Sequence, residues 1–161
     1  MGRPQRLSGP TRRHQGQDWG GRLSGPIRAG LGIPTVFNVL GPLSHPGQPK
    51  RQLIGATEPA LADRMLEVFR VSGSVHTWLV TGHDSLDEIA LTGPTRVLEL
   101  RDGLVSEWIL DPVEIGLTLA DPSDLVGGGP ERNAEIALAI FAGKERGPMR
   151  DIVALNAGAG L

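Results

Sequence analysis

The feature that most limits how this chain can fold is a strand, a helix and a second strand in close succession between residues 51 and 81. Residues 51–56 and 75–81 are short runs rich in apolar and β-branched residues, and apolar residues recur at helical spacing between them. Strands joined through a helix lie parallel, because an antiparallel pair needs only a short turn. The sequence therefore predicts one β-α-β crossover.

The helix of this crossover is expected to be amphipathic. Thr57 is the expected N-cap, with Pro59 in the first turn, and Gly73 lies where the helix should end. Charged side chains occupy the opposite face from three apolar residues: Leu61, Met65 and Phe69. The apolar face should pack on the sheet.

Beyond the crossover the pattern predicts a hairpin. Two β-rich runs, residues 95–101 and 104–110, are separated by Asp102-Gly103. Asp-Gly between two such runs is a strong hairpin signal, because both turn residues must adopt positive φ.

Two helices are expected after the hairpin. One runs from Pro130 to about Gly143, with Ala134, Leu138 and Phe141 on one face, and the last begins near Pro148. The predicted fold class is thus α/β, a partial parallel or mixed sheet flanked by helices. A sheet this thin leaves apolar runs such as residues 31–40 in need of further cover, so we expect a fragment of a larger domain.

Positive charge is concentrated at the start of the chain. Residues 1–30 hold six Arg and one Asp, or +5, and the net charge of −2 leaves −7 for the remainder. We predict that residues 1–22 form an irregular basic leader and that residues 23–161 form the α/β domain. A basic leader could alternatively be a nucleic-acid-binding arm.

Composition argues against several other classes of protein. A content of 4% aromatic residues is low for a surface that stacks on single-stranded nucleic acid. No apolar run reaches the ~18 residues of a spanning helix, and the basic start is not followed by the apolar region typical of a signal peptide. Cys is absent, which excludes disulfides and zinc–thiolate sites. We expect a cytoplasmic protein that binds neither nucleic acid nor membrane.

The most informative stretch for chemistry is Gly82 to Glu88, which follows a buried strand. It holds three carboxylates, those of Asp84, Asp87 and Glu88. Oxygen ligands at the C-terminal end of a strand suit Mg²⁺, which usually shares its coordination with substrate phosphates. Alternatively, Asp84 caps a turn and the other two begin a solvated helix, and the residues alone favour that interpretation.

Three weaker candidates accompany this stretch. Arg28 could grip a carboxylate or phosphate, or be one more solvated arginine. Gly41 precedes Pro42 in an apolar context, which fits either a close approach to a ligand or an ordinary loop. Residues 127–129 are three glycines ahead of a helix, where backbone N–H groups can meet an anion, although no phosphate-loop motif is present.

Taken together, these segments resemble the second half of anthranilate phosphoribosyltransferase. The resemblance is carried in order by Arg28, Leu-Gly-Ile-x-Thr-x-Phe-Asn-x-Leu-Gly-Pro-Leu at 31–43 and Leu-Asp-Glu-Ile-Ala-Leu-Thr-Gly-Pro-Thr at 86–95. Asn133-Ala134 and Arg-Asp-Ile-Val-Ala-Leu-Asn-Ala-Gly at 150–158 complete it. It covers about residues 24–161 and implies the C-terminal part of a nucleoside phosphorylase/phosphoribosyltransferase-type large domain.

The resemblance implies a reaction of tryptophan biosynthesis. Anthranilate displaces pyrophosphate from phosphoribosyl pyrophosphate (PRPP), giving N-(5-phosphoribosyl)anthranilate. By position, Asp87 and Glu88 would bind Mg²⁺, Arg28 would hold the anthranilate carboxylate, and the backbone of Gly41 would line the anthranilate channel. The family is homodimeric through an N-terminal helical domain.

Several family features are missing from this sequence. It contains no Gly-Thr-Gly-Gly-Asp phosphate loop, no Lys-His-Gly-Asn segment and no helical dimerisation domain, and Gly129 stands where the family usually has Asp. We therefore expect a truncated form that is inactive alone. A non-catalytic relative that binds nucleic acid through the basic leader is the alternative, and a nucleoside phosphorylase would need a phosphate-site motif that the sequence lacks.

Overall fold

The computed structural model describes residues 47–161, which form a mixed four-stranded sheet with helices. The elements are, in order, β1 (Arg51–Gly55), α1 (Pro59–Val71), β2 (His76–Gly82), β3 (Thr95–Arg101), β4 (Leu104–Leu110), a 3-10 turn (Pro122–Leu125), α2 (Pro130–Phe141) and α3 (Pro148–Ala159). The strands lie in the order β1-β2-β3-β4, with β1 parallel to β2 and the other pairs antiparallel. The α/β class, the crossover and both late helices are confirmed. The predicted leader, residues 1–22, lies outside the described residues.

The crossover helix α1 begins one residue later than predicted. Its N-cap is Glu58, which makes no side-chain capping bond, rather than Thr57. Proline explains the difference: Pro59 fits the first helical position because it has no N–H to satisfy and its φ is already helical. At the other end Ser72 is the C-cap and Gly73 has a φ of +71°, as expected for a helix stop.

Helix α1 closes one face of the sheet. Four of its residues are buried: Ala62, Met65, Leu66 and Phe69. They form a core cluster with strand residues from three strands: Ile54, Leu79, Leu98 and Leu100. An ionic contact supports this packing, because Arg96 of β3 donates to Asp63 of α1 at 3.0 Å and to Glu107 of β4 at 2.8 Å.

The hairpin forms as predicted. Residues 95–101 pair with 104–110 around Asp102 and Gly103, whose φ values are +50° and +81°. Two central residues with positive φ match the right-handed twist of the flanking strands. The observed register therefore agrees with the turn chemistry.

The opposite face of the sheet is only partly closed. Its buried cluster contains Val80, Ile89, Val97 and Leu110, and partly buried residues, including Leu155 and Ala159 of α3, pack against it. Neither α2 nor α3 has a fully buried residue. The predicted shared face of α2 is exposed: Leu138 is 68% and Phe141 81% accessible.

A polar cluster is built into this second face. Glu99 of β3 contacts His76 at 2.7 Å and accepts from the indole of Trp108 at 3.2 Å. Burial alone would raise the pKa of Glu99, but nearby Trp78 and the bonds from His76 and Trp108 outweigh it and lower the pKa. The Trp78 indole N–H is buried and makes no well-formed hydrogen bond within residues 47–161.

Among the helices in residues 47–161, none is both long enough and apolar enough to cross a bilayer.

Candidate functional site

The connection between β2 and β3, residues 83–94, leaves the sheet at the C-terminal end of β2. We call it the acidic connection, because it holds Asp84, Asp87 and Glu88. The chain reverses at once: the amide of Gly82 donates to the carbonyl of Leu86 at 3.0 Å. The stretch therefore follows a strand, as the sequence predicted, at the edge where α/β sheets bind their ligands.

Asp84 is used inside the turn. One carboxylate oxygen accepts from the Thr92 hydroxyl at 2.6 Å, and the other accepts from the Leu86 amide at 3.2 Å. Burial would raise the pKa of Asp84, but these bonds and nearby His83 outweigh it and lower the pKa. Asp84 therefore caps a turn, as the alternative interpretation predicted. Within residues 47–161 no three acidic, His or Cys side chains are grouped for a metal ion.

Asp87 and Glu88 have a different environment. Both side chains are exposed, and neither makes a hydrogen bond or ion pair with any described residue. No helix begins at this point, so the alternative of a solvated helix start is wrong. The result is two adjacent free carboxylates on a segment whose next residues, Ile89 and Ala90, are fully buried.

Glycines let this segment approach the sheet closely. A Cβ at Gly55, the last residue of β1, would overlap the carbonyl of Asp87. A Cβ at Gly82 would lie 2.8 Å from the carboxylate of Asp84, and one at Gly93 would lie 2.8 Å from the ring of His83. The acidic connection thus depends on backbone packed directly against backbone at the end of β1.

Helix α3 also holds the acidic connection. The side chain of Asn156 accepts from the Ile89 amide at 2.8 Å and donates to the Ile89 carbonyl at 2.9 Å and the Ile152 carbonyl at 3.0 Å. Sequence reasoning noted Asn156 only within a resembling segment and assigned it no role. The sequence offered one signal: Asn156 is a polar residue close to the apolar Ile152 and Leu155 in the last predicted helix.

A cavity of about 500 Å³ lies beside Glu88. It runs between α2 and α3 and is mainly apolar, with Ile140, Phe141 and Ile152 among its lining residues. At its edge Asn133 accepts from the Gly128 amide at 2.7 Å. That bond uses one of the backbone donors that the glycine triplet, residues 127–129, was predicted to offer an anion.

The two predicted anthranilate contacts, Arg28 and Gly41, lie outside the described residues. Their roles stay predictions from the resemblance.

Comparison with protein families matches residues 16–161 to the group described as "Glycosyl transferase family, a/b domain". Anthranilate phosphoribosyltransferase of Methylorubrum populi is 47% identical over 136 residues, which are 84% of this chain and 40% of that protein. The enzyme of Roseiflexus castenholzii is 43% identical over 141 residues, 87% of this chain and 42% of its own length. The chain thus spans about 40% of the length of these relatives.

Solved structures agree. The crystal structure of anthranilate phosphoribosyltransferase from Thermus thermophilus superposes with a TM-score of 0.76 at 40% identity, covering 87% of this chain and 41% of that one. The Saccharomyces cerevisiae enzyme in complex with PRPP and Mg superposes with a TM-score of 0.73 at 32% identity, covering 84% and 40%.

Proposed function

This chain belongs to the glycosyl transferase family through its α/β domain, and we propose that it supplies the C-terminal, metal-binding part of an anthranilate phosphoribosyltransferase. The observation that carries the proposal is the pair of free carboxylates, Asp87 and Glu88, at the C-terminal end of β2. Relatives at 43–47% identity bear that enzyme's name, and the yeast enzyme has been crystallised with PRPP and Mg.

The chemistry of these residues fits Mg²⁺. The ion binds through one or two carboxylates and completes its octahedron with water and substrate phosphate oxygens. Asp87 and Glu88 provide two hard oxygen donors that no described residue occupies. Because no third acidic group joins them in this part of the chain, the ion should bind most tightly when a pyrophosphate group supplies further oxygens.

In the proposed reaction the amine of anthranilate forms a bond to C1 of the ribose, the bond from C1 to the pyrophosphate oxygen breaks, and the amine loses a proton. Asp87 and Glu88 would hold Mg²⁺, which when bound would offset the negative charge on the departing pyrophosphate.

Two further roles follow from the resemblance alone. Arg28 is proposed to hold the carboxylate of anthranilate, because a guanidinium fork pairs with a planar carboxylate through two parallel hydrogen bonds. Gly41 is proposed to line the anthranilate channel with its backbone, where a side chain would narrow the passage.

Turnover by this 161-residue chain alone is not expected. Its sequence holds neither Gly-Thr-Gly-Gly-Asp nor Lys-His-Gly-Asn, so PRPP would meet the metal carboxylates without the contacts that orient it. Purified chain should show no PRPP-dependent loss of anthranilate fluorescence. Turnover above a protein-free blank would contradict this part of the proposal.

The metal site can be tested by Mn²⁺ titration, followed by electron paramagnetic resonance with and without pyrophosphate. Asp87→Asn and Glu88→Gln should each weaken Mn²⁺ binding about tenfold or more, since each removes a charged ligand. Asp102→Asn is the matched control: it also removes one carboxylate, it lies at the other end of the sheet, and Asn tolerates its φ of +50°. Equal affinity in all four proteins would contradict the proposed site.

A further inference from the structure

We propose that Asn156 is a positioning residue that sets the direction in which the Glu88 side chain leaves the backbone, working with Gly55 from the other side. The inference rests on the proposed function, because it treats the carboxylates of Asp87 and Glu88 as metal ligands. Its geometry involves only described residues: β1 and α3 both contact one short stretch of backbone within the acidic connection.

The amide of Asn156 fixes the peptide unit that follows Glu88. The N–H of Ile89 belongs to the planar peptide joining Glu88 to Ile89, and it donates to the Asn156 side chain at 2.8 Å. The Ile89 carbonyl, in the next peptide unit, accepts from the same side chain at 2.9 Å. One side chain therefore bonds both polar groups of Ile89, as a neighbouring strand would.

Gly55 fixes the peptide unit before Glu88. The carbonyl of Asp87 lies in the plane joining Asp87 to Glu88, and it packs where a Cβ of residue 55 would stand. Both planes that flank Glu88 are thus held, one by contact and one by hydrogen bonds. Because these planes fix φ and ψ of Glu88, they also fix the direction of its Cα–Cβ bond.

Burial of the Ile89 side chain cannot by itself fix the orientation of the peptide planes that flank Glu88. Ile89 is fully buried against Val80, Val97 and Leu110, which anchors the segment to the sheet. Apolar contact is non-directional, however, and leaves the buried N–H and C=O without partners unless a polar group reaches them. Asn156 is the polar group that does so, across 67 residues of sequence.

The test uses Asn156→Ala and the nearly isosteric Asn156→Leu in the full 161-residue chain. Two quantities are measured: the dissociation constant for Mn²⁺ by electron paramagnetic resonance, and hydrogen exchange of the Ile89 amide by NMR. Both variants should raise the Mn²⁺ dissociation constant about tenfold, the usual effect of removing a group that orients a ligand. The Ile89 amide should exchange at least about tenfold faster, since its acceptor is gone.

Leu155→Ala is the control for general loosening of α3. Leu155 packs on the same sheet face from the same helix, but its truncation leaves the Asn156 amide in place. It should lower the melting temperature while changing the Mn²⁺ dissociation constant less than about twofold. If Leu155→Ala weakens Mn²⁺ binding as much as the Asn156 variants do, Asn156 acts only through helix docking and the proposal is overturned.

The remaining outcomes separate the two proposals. Wild-type chain that binds no Mn²⁺ refutes the metal site and, with it, the functional half of this inference. Fast exchange of the Ile89 amide in the variants would still support the two hydrogen bonds between Asn156 and the backbone of Ile89, which we call the Asn156 clamp. Unchanged Mn²⁺ binding in both Asn156 variants would overturn the positioning role, and unchanged exchange of the Ile89 amide would overturn the hold of Asn156 on the backbone as well.

Discussion

The two faces of the sheet are covered in different ways. One face is closed by α1, whose buried residues interlock with three strands and whose Asp63 pairs with Arg96. The other face meets α3 only through partly buried residues and is otherwise covered by the acidic connection. Gly55 and Leu53 lie on that second face, by the alternation of side chains along β1.

This difference separates the tightly packed core from the candidate site within one small sheet. The α1 face has tight apolar packing, which fixes the strands. The opposite face holds the free carboxylates, the Asn156 clamp and a mainly apolar cavity. Helices α2 and α3 also present exposed apolar residues, among them Leu138, Phe141 and Val153.

The comparison is tested most strongly at Phe69, in the core of the α1 face. Phe69 is 3% accessible, so Phe69→Ala should lower the free energy of unfolding by about 3–5 kcal/mol through lost burial and a new cavity. Urea denaturation followed by circular dichroism measures the effect. A loss below about 1 kcal/mol would mean that α1 is not the main support of the sheet.

Gly55→Ala tests the acidic connection on the other face. The new methyl group would overlap the backbone of Asp87, so the connection must move, at a cost of about 1–3 kcal/mol. Mn²⁺ binding should weaken as well, because the Glu88 peptide planes shift. Gly103→Ala is the control. It places alanine in the turn between β3 and β4, where φ is +81° and no other atom lies nearby. It therefore tests backbone strain without a steric contact.

The polar cluster of the second face should make stability depend on pH. The pKa of Glu99 is lower in the folded chain than its usual 4.5, so the folded state binds fewer protons there than the unfolded state. The stabilisation is therefore complete above about pH 4.5 and is lost as the pH falls through the folded pKa. The difference in the free energy of unfolding between wild type and Glu99→Gln, measured by thermal unfolding, should shrink by at most about 1 kcal/mol between pH 6 and pH 3. A difference that does not change with pH would contradict the lowered pKa of Glu99.

The smallest effect is expected at Phe141 on α2. Because it is 81% accessible, Phe141→Ala should change the free energy of unfolding by less than about 0.5 kcal/mol. The same urea experiment as for Phe69 measures it, so the two phenylalanines form a matched pair. A loss of several kcal/mol would show that this face is covered after all.

Local patterns were sufficient for the elements of this fold. The Asp102-Gly103 turn and the helix stops at Gly73 and Gly143 are set by residues a few positions apart, and the crossover pairs Arg51 with His76, 25 positions further on. The start of α1 was misplaced because Thr57 is a good capping residue, whereas Pro59 determined the first helical position.

The site was less predictable, because its residues act over long sequence distances. The acidic connection could be placed from the strand before it, but nothing local distinguishes Asp84, which bonds Thr92, from the free Asp87. The partner of Ile89 lies 67 residues away. Exposure of Leu138 and Phe141 likewise depends on what packs against α2, which helical spacing does not reveal.

The bond between Asn156 and Ile89 also has a consequence for the order of assembly. Each strand pairs with its predecessor in the chain, so the sheet gains its contacts at short range and can form early. The clamp on Ile89 closes a loop of 67 positions, which is slower and costs more chain entropy. During synthesis the carboxylate pair therefore emerges before β3 and β4 complete the sheet, and Glu88 takes its final direction only after α3 has been made.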